Sequence, residues 1–348
     1  MNKTMENSLT RAQRGFTLIE MLVGLALGLL ASLAIFTTVS SFETQRRVTA
    51  SGADMQQNGL LALYFLEQDL RMAGFGLIDA STTPGSLPCV KLNGVNIAPV
   101  SIADGGAGSD TLTTHRLDSD TGGIVTGGGA AKLTSPLSAT SSITSLTVDT
   151  NQAIHLNDYL LIPDASRNCT QWQATSLPVA DATIPGTATL INLGQTAAAI
   201  PALQYRVNAN NNLEHSTDSG TTWSSVADNI VNMQAQYGIA NAGSQSISCW
   251  TDATGSACNG SDWANPPAAD IYRIKAIRVA IVARSSQKTA GITTTANPVA
   301  WTQPTTTPTS SAAPVINLST SVGTDWGHYR YKVYQTVIPV RNVIWGNL

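Results

Sequence analysis

The 348 residues carry 19 Lys and Arg against 22 Asp and Glu, a formal net charge of −3, and charged side chains make up only 12% of the chain. A chain so sparingly and evenly charged offers no basic face to nucleic acid. Its four cysteines and four histidines show no CxxC or HExxH spacing, which argues against a zinc centre, and the length suffices for one large domain or two small ones.

The first predicted element opens with Arg14-Gly15-Phe16-Thr17-Leu18-Ile19-Glu20-Met21-Leu22-Val23-Gly24. From Met21 to Phe42 no side chain is charged, and about 20 such residues cross the hydrocarbon core of a bilayer. Glu20 stands just inside the edge of that span. A carboxylate there is costly and normally has a partner; without one it snorkels to the headgroups. A cleaved secretory signal fits less well, because the apolar run is too long and no clean Ala-x-Ala follows. Lys3, Arg11 and Arg14 precede the span and keep the N-terminus cytoplasmic, although Arg46 and Arg47 beyond it oppose that bias. Met5 is a second candidate start.

A glycine, an aromatic residue and then a single carboxylate within an apolar helix resemble the class III signal of type IV prepilins and pseudopilins. The resemblance implies a leader, residues 1–15, removed by a prepilin peptidase between Gly15 and Phe16. It implies N-methylation of the new Phe16 terminus and a membrane-spanning polymerisation helix over 16–42. In that family the glutamate, here Glu20, pairs with the α-amino group of a neighbouring subunit and sets the stagger of the filament.

The helix does not stop with the apolar run. Residues 43–73 contain no Pro, and Gly59, Leu63, Leu66, Leu70 and Ala73 recur at steps of four and three, one face of an amphipathic helix. The spacing predicts one helix over 16–73, about 87 Å long, whose second half (43–75) covers a folded domain with one stripe; two helices broken near Ser51-Gly52 are the alternative. Gly74 and Gly76 supply the stop. The helix-breaking proline of many major pilins is missing from Ala34–Ser40.

Beyond residue 76 the pattern is that of a β-rich extracytoplasmic domain reaching to residue 348. Short β-type runs are predicted at Thr111–Leu117, Ile143–Asp149, Ile154–Ile162, Ala188–Leu193 and Leu203–Val207. Leu213–Val226 carries Asp218-Ser219-Gly220, a hairpin turn. Tyr272–Arg284 and Tyr329–Val340 are stronger strands; Ile277, Val279, Ile281 and Ala283 share one face of the first. Between them, residues 285–324 are rich in Thr, Ser, Ala and Pro, and read as a long, mobile excursion from the sheet. Cys89, Cys169, Cys249 and Cys258 all lie beyond the span, where an even number suggests disulfides. Of three possible connectivities, the short Cys249–Cys258 loop is preferred, which leaves Cys89 with Cys169.

Further segments resemble the PilW family of minor pilins: Leu66-Glu67-Gln68-Asp69-Leu70-Arg71-Met72-Ala73-Gly74-Phe75, Val226–Ile230 running into Met233–Gly238, Ile274–Val279, and Tyr329–Tyr334 with Val340-Arg341-Asn342. The fold this implies is α+β and type IV pilin-like, a long N-terminal α-helix packed on an antiparallel β-sheet domain with long loops. The implied role is a non-enzymatic minor pilin of the type IV pilus tip complex that initiates pilus assembly. Its implied partners are other minor pilins, the major pilin, a large tip protein, the prepilin peptidase and the inner-membrane assembly platform. The protein would cross the inner membrane once, with a periplasmic C-terminal domain, and end at the pilus tip on the cell surface. A J-type pseudopilin of type II secretion and a pilin-anchored tip adhesin or ligand-binding module remain as alternatives.

No catalytic constellation, metal site or cofactor site emerges. His115, His155, His215 and His328 are scattered, and no Gly-x-Ser-x-Gly elbow is present. Asp104 to Asp110 lacks the alternating oxygen ligands of an EF-hand and reads as a loop. Gly127-Gly128-Gly129 lacks the Lys and Ser/Thr of a phosphate loop. The seven tryptophans, Trp172, Trp223, Trp250, Trp263, Trp301, Trp326 and Trp345, read as plugs for loops against a thin sheet, with an exposed binding surface as the alternative.

Overall fold

The computed structural model describes residues 15–77, 87, 89–92, 95–116, 132–133, 155–163, 167–173, 188–189, 191–192, 202–301 and 310–345. The remainder of the leader, the strand expected at Ile143–Asp149 and the Gly127–Gly129 run lie outside them. The chain divides into two compact units, residues 1–51 and 52–348.

The described part of the first unit is almost wholly helical. Helix α1 runs from Leu18 to Arg71 over 54 residues, and its apolar residues up to Phe42 are exposed on every side. Several hydroxyls on and just beyond this stretch bond back to their own helix, which lowers the cost of placing them in hydrocarbon. The hydroxyls of Ser32, Thr38 and Thr44 donate to carbonyls one turn back, at 2.8–2.9 Å, and Thr37 donates to Ala34 O at 2.9 Å.

In the second unit α1 ends where the glycines stop it: Gly74 and Gly76 take φ of 78° and 73°, left-handed values that suit residues without a Cβ. The strands that follow are β1 (Lys91–Leu92), β2 (Val95–Asn96), β3 (Val100–Ala103), β4 (Thr111–His115), β5 (Lys132–Leu133), β6 (Tyr159–Pro163), β7 (Asn168–Gln173), β8 (Ala188–Thr189) and β9 (Ile191–Asn192). After these come β10 (Ala202–Val207), β11 (Asn212–Ser216), β12 (Ser224–Asp228), β13 (Ile230–Ala240), β14 (Ile247–Thr251), β15 (Ile274–Arg284) and β16 (Tyr331–Pro339). Among the described residues there are also three short α-helices, α2 (Ala268–Ile271), α3 (Leu318–Val322) and α4 (Arg341–Trp345).

The strands form three larger sheets, ordered β2-β1-β7-β6-β9, β12-β11-β10-β4-β3 and β14-β13-β15-β16, and a β5–β8 pair. Pairing is antiparallel except for β1 with β7. The protein is therefore α+β, a long apolar helix on antiparallel sheets.

The main core lies between the second half of α1 and the last two of these sheets. Met55, Ala62, Leu66, Leu70 and Ala73 from the helix stripe meet Met233, Ala235, Tyr237 and Ile239 of β13, and Ile277, Val279, Ile281 and Ala283 of β15. A second core, with Cys89, Cys169, Leu161 and Ile191, fills the five-stranded sheet of β1 and β7, and Leu77 and Ile271 join it.

The expected mobility of 285–324 does not hold for its described parts. Ala300, Trp301, Ile316 and Leu318 are buried against Val231, Ala280 and Val282. The excursion thus covers the second face of β13 and β15. Its low charge and its few large apolar residues suit a cover layer, which needs only scattered anchors rather than strand alternation. It also closes an edge: Ser311 N donates to Trp250 O at 2.9 Å, and the Ser310 and Ser311 hydroxyls accept from Trp250 N and Asp252 N, both at 3.1 Å.

Candidate functional site

The N-terminal segment carries the residues on which processing and assembly would act. Gly15 precedes the helix, Phe16 is exposed, and Thr17 caps α1. Thr17 Oγ1 accepts the Glu20 N–H at 3.3 Å, while Glu20 Oε2 accepts the Thr17 N–H at 3.0 Å and the Thr17 hydroxyl at 2.9 Å. This reciprocal pair is a capping box, which satisfies two of the orphan donors at a helix start. Glu20 therefore has a partner inside its own chain, a role that the sequence reading missed although the Thr-x-x-Glu spacing signals it. A Cβ added at Gly15 would meet nothing within 4 Å. Among the described residues nothing demands a small side chain there.

In the second unit, residues in and just after β4, in β10 and in α4 gather at the C-terminal end of α1. Asp69 receives Arg116 Nη1 at 3.0 Å and the Tyr205 hydroxyl. Gly74 N donates to His115 O at 2.8 Å, and Asn342 Nδ2 donates to Ala73 O at 2.9 Å, capping carbonyls at the helix end. Glu67 pairs with Arg71 one turn on. Arg116, Tyr205 and Asn342 were not legible as helix anchors, because 40 or more residues separate each of them from the groups they hold. Their contacts are a product of the folded sheet.

The four cysteines meet in two pairs, Cys89 with Cys169 and Cys249 with Cys258, and no described cysteine is free. Among the described residues no three His, Cys, Asp or Glu side chains come together to hold a metal ion. His115 is buried, with Nδ1 2.7 Å from Ala98 O, and burial pulls its pKa below the ordinary value. His155 lies 3.5 Å from Asp158, His215 packs edge-on to Tyr205, and His328 contacts Thr289 O. The carboxylate of Asp110 is occupied by protein: its oxygens accept the backbone N–H groups of Gly105 at 2.8 Å and Ala235 at 2.7 Å.

The tryptophans with described side chains pack onto protein. Trp263 is fully buried in the main core. Trp250 and Trp301 sandwich the Arg278 guanidinium at 4.6 and 4.3 Å, and Trp223 carries Arg206 at 3.7 Å. Trp326 packs on the cover layer. The Trp172 and Trp345 side chains lie outside the described residues.

Comparison with known proteins gives two matches. Residues 10–36 match a prokaryotic N-terminal methylation motif. Residues 192–342 match the family described as Type IV Pilus-assembly protein W. The second match spans β10 to β16 and reaches Asn342 at the helix anchor. No curated protein and no solved structure matches the chain.

Proposed function

This chain belongs to the PilW family of type IV pilus-assembly proteins, and from that membership we propose that it is a minor pilin acting in a complex at the pilus tip. In this reading it is a non-enzymatic subunit that primes assembly together with other minor pilins, the major pilin and a large tip protein. The observation that carries the reading is the pairing of a methylation-motif helix, exposed and apolar on all sides, with a β-domain whose latter half matches a pilus-assembly family. A domain of about 270 residues is too bulky to repeat along a dense filament, which favours a few copies at one end.

The reading assigns residues 1–15 to a leader cut by the prepilin peptidase, Phe16 to N-methylation, and Glu20 to a pairing with the α-amino group of a neighbour. The protein waits in the inner membrane with its β-domain in the periplasm before it enters the pilus. The deciding experiment has two readouts. N-terminal sequencing of the membrane-extracted protein should begin at methylated Phe16. Immunogold labelling of sheared pili should mark ends rather than shafts. A start other than Phe16 overturns the pilin reading; label along the whole shaft, or loss of secretion rather than of pili in a deletion strain, overturns the tip role.

A further inference from the structure

Strand β16 is the longest strand at an edge of the three larger sheets, and its free side is legible from two hydrogen bonds. Ser285 N donates to Arg330 O at 2.8 Å, and Val340 N donates to Lys275 O at 2.9 Å. The antiparallel register between them is unbroken, from Arg284 opposite Tyr331 to Ala276 opposite Pro339. Alternation of the ladder then turns the backbone groups of residues 332, 334, 336 and 338 toward β15. Those of Tyr331, Val333, Gln335 and Val337 point away, spaced ~6.8 Å apart. No other strand among the described residues pairs with β16. Gln335 and Val337 are also exposed at their side chains.

The opposite edge of the same sheet is handled differently. Ser310 and Ser311 occupy the outer groups of Trp250 and Asp252 in and beside β14. One edge is thus closed by the chain itself, and the other is open among the described residues. A row of unpaired N–H and C=O groups is a template for an added strand, and proteins ordinarily cover or blunt it. Lys332 and Pro339 blunt this edge only near its two ends.

Charge selects the occupant. Residues 326–348 contain no Asp or Glu, and Arg330, Lys332 and Arg341 flank the edge at both ends. All three are exposed, and none makes an ion pair with a described residue. A second copy would set cations against cations in either strand direction. We propose that the open edge of β16 is a docking site for an extended, carboxylate-bearing strand of a protein partner, added to the sheet by backbone hydrogen bonds. The edge would serve such a partner whether or not the tip role holds.

The test uses the full-length protein in detergent and a synthetic probe, a peptide of alternating Glu and Val matched to the nine residues of β16. Binding should slow amide exchange at Val333, Gln335 and Val337 at least about tenfold. A Lys/Val peptide of the same length, and a Glu/Val peptide N-methylated at every amide, should not bind. Gln335→Pro removes one outward N–H where an edge strand tolerates it, and should weaken binding about tenfold or more. If that variant fails to fold, the N-methylated peptide decides, because it leaves the protein untouched. The proposal is overturned if these amides are already protected in the free protein, if the Lys/Val or the N-methylated peptide binds as well as the Glu/Val peptide, or if no peptide binds. It is also overturned if a folded Gln335→Pro variant binds as wild type does, or if the chain dimerises through β16 instead.

Discussion

Gly59 lies beneath the ring of Tyr334: a Cβ added to the glycine would fall 2.3 Å from Tyr334 Cε2 and 2.9 Å from Cζ. The helix meets the sheet here at a distance only a bare backbone allows, and Tyr334 is half the contact. Gly59→Ala sets about 1 kcal/mol of better helix propensity against overpacking of about 1–3 kcal/mol. The clash should win, because the ring is wedged between helix and strand. The expected outcome is a lower thermal midpoint for Gly59→Ala and recovery when Tyr334→Ala is added to it. Circular dichroism melts of both variants, in the same detergent, check this. Tyr334→Phe should cost little, since the buried hydroxyl has no hydrogen-bond partner among the described residues.

The capping box divides the role of Glu20 into two separable parts. Glu20→Gln keeps an acceptor for the Thr17 N–H but removes the charge; Glu20→Ala removes both. If the charge serves a neighbour's α-amino group, both variants should be cleaved and inserted normally, and both should fail to co-purify with other minor pilins. Recovery of assembly in Glu20→Gln alone would assign the residue to capping.

The two disulfides close loops of very different length, with sequence separations of 80 and 9. On the chain-entropy model the long loop contributes about 4.5 kcal/mol and the short one about 2.7 kcal/mol. Cys89→Ser/Cys169→Ser should therefore lower the denaturation midpoint more than Cys249→Ser/Cys258→Ser. Non-reducing peptide mapping should recover both linked pairs and no free thiol.

Burial pushes the carboxyl of Asp110 up to about 7, against the opposing pull of its two backbone donors, and the nearby charges of Asp104 and Asp252 add to the rise. The folded state then holds a proton that the unfolded chain, with an ordinary carboxyl near 3.9, has already lost. The resulting stability is complete below about pH 4 and disappears as pH rises toward 7. Stability should decline across that window in the wild type and decline less in Asp110→Asn, which cannot ionise. Thermal melts at several pH values, compared as differences between the two proteins, measure it.

What could be read from the chain alone were features whose cause is local. All-round apolarity from Met21 to Phe42, the absence of proline through residue 73, and Gly74 and Gly76 at φ values only glycine adopts readily made the long helix and its end legible. Strands with one apolar face were legible for the same reason: Ile277, Val279, Ile281 and Ala283 of β15 do face the helix together. The Gly15–Phe16 junction and Glu20 stood out because one charged group in an otherwise uncharged run is a property of sequence, not of folding.

The tertiary structure decided what lies on the other side of each element. Asn232, Gln234 and Gln236 alternate with Met233, Ala235 and Tyr237 along β13, a pattern that would place the amides in water. They are instead buried, with Gln234 bonded to Gly108 O, and Gln236 to Asp252 and Ala312 O. Alternation reports only that two faces differ. Whether the polar face meets solvent or a covering segment depends on where a stretch dozens of residues away comes to rest. The same holds for Asp69 with Arg116 and Tyr205, and for Asn342 at the end of α1: each pair is brought together by loop closure over long separations, and no local spacing encodes it.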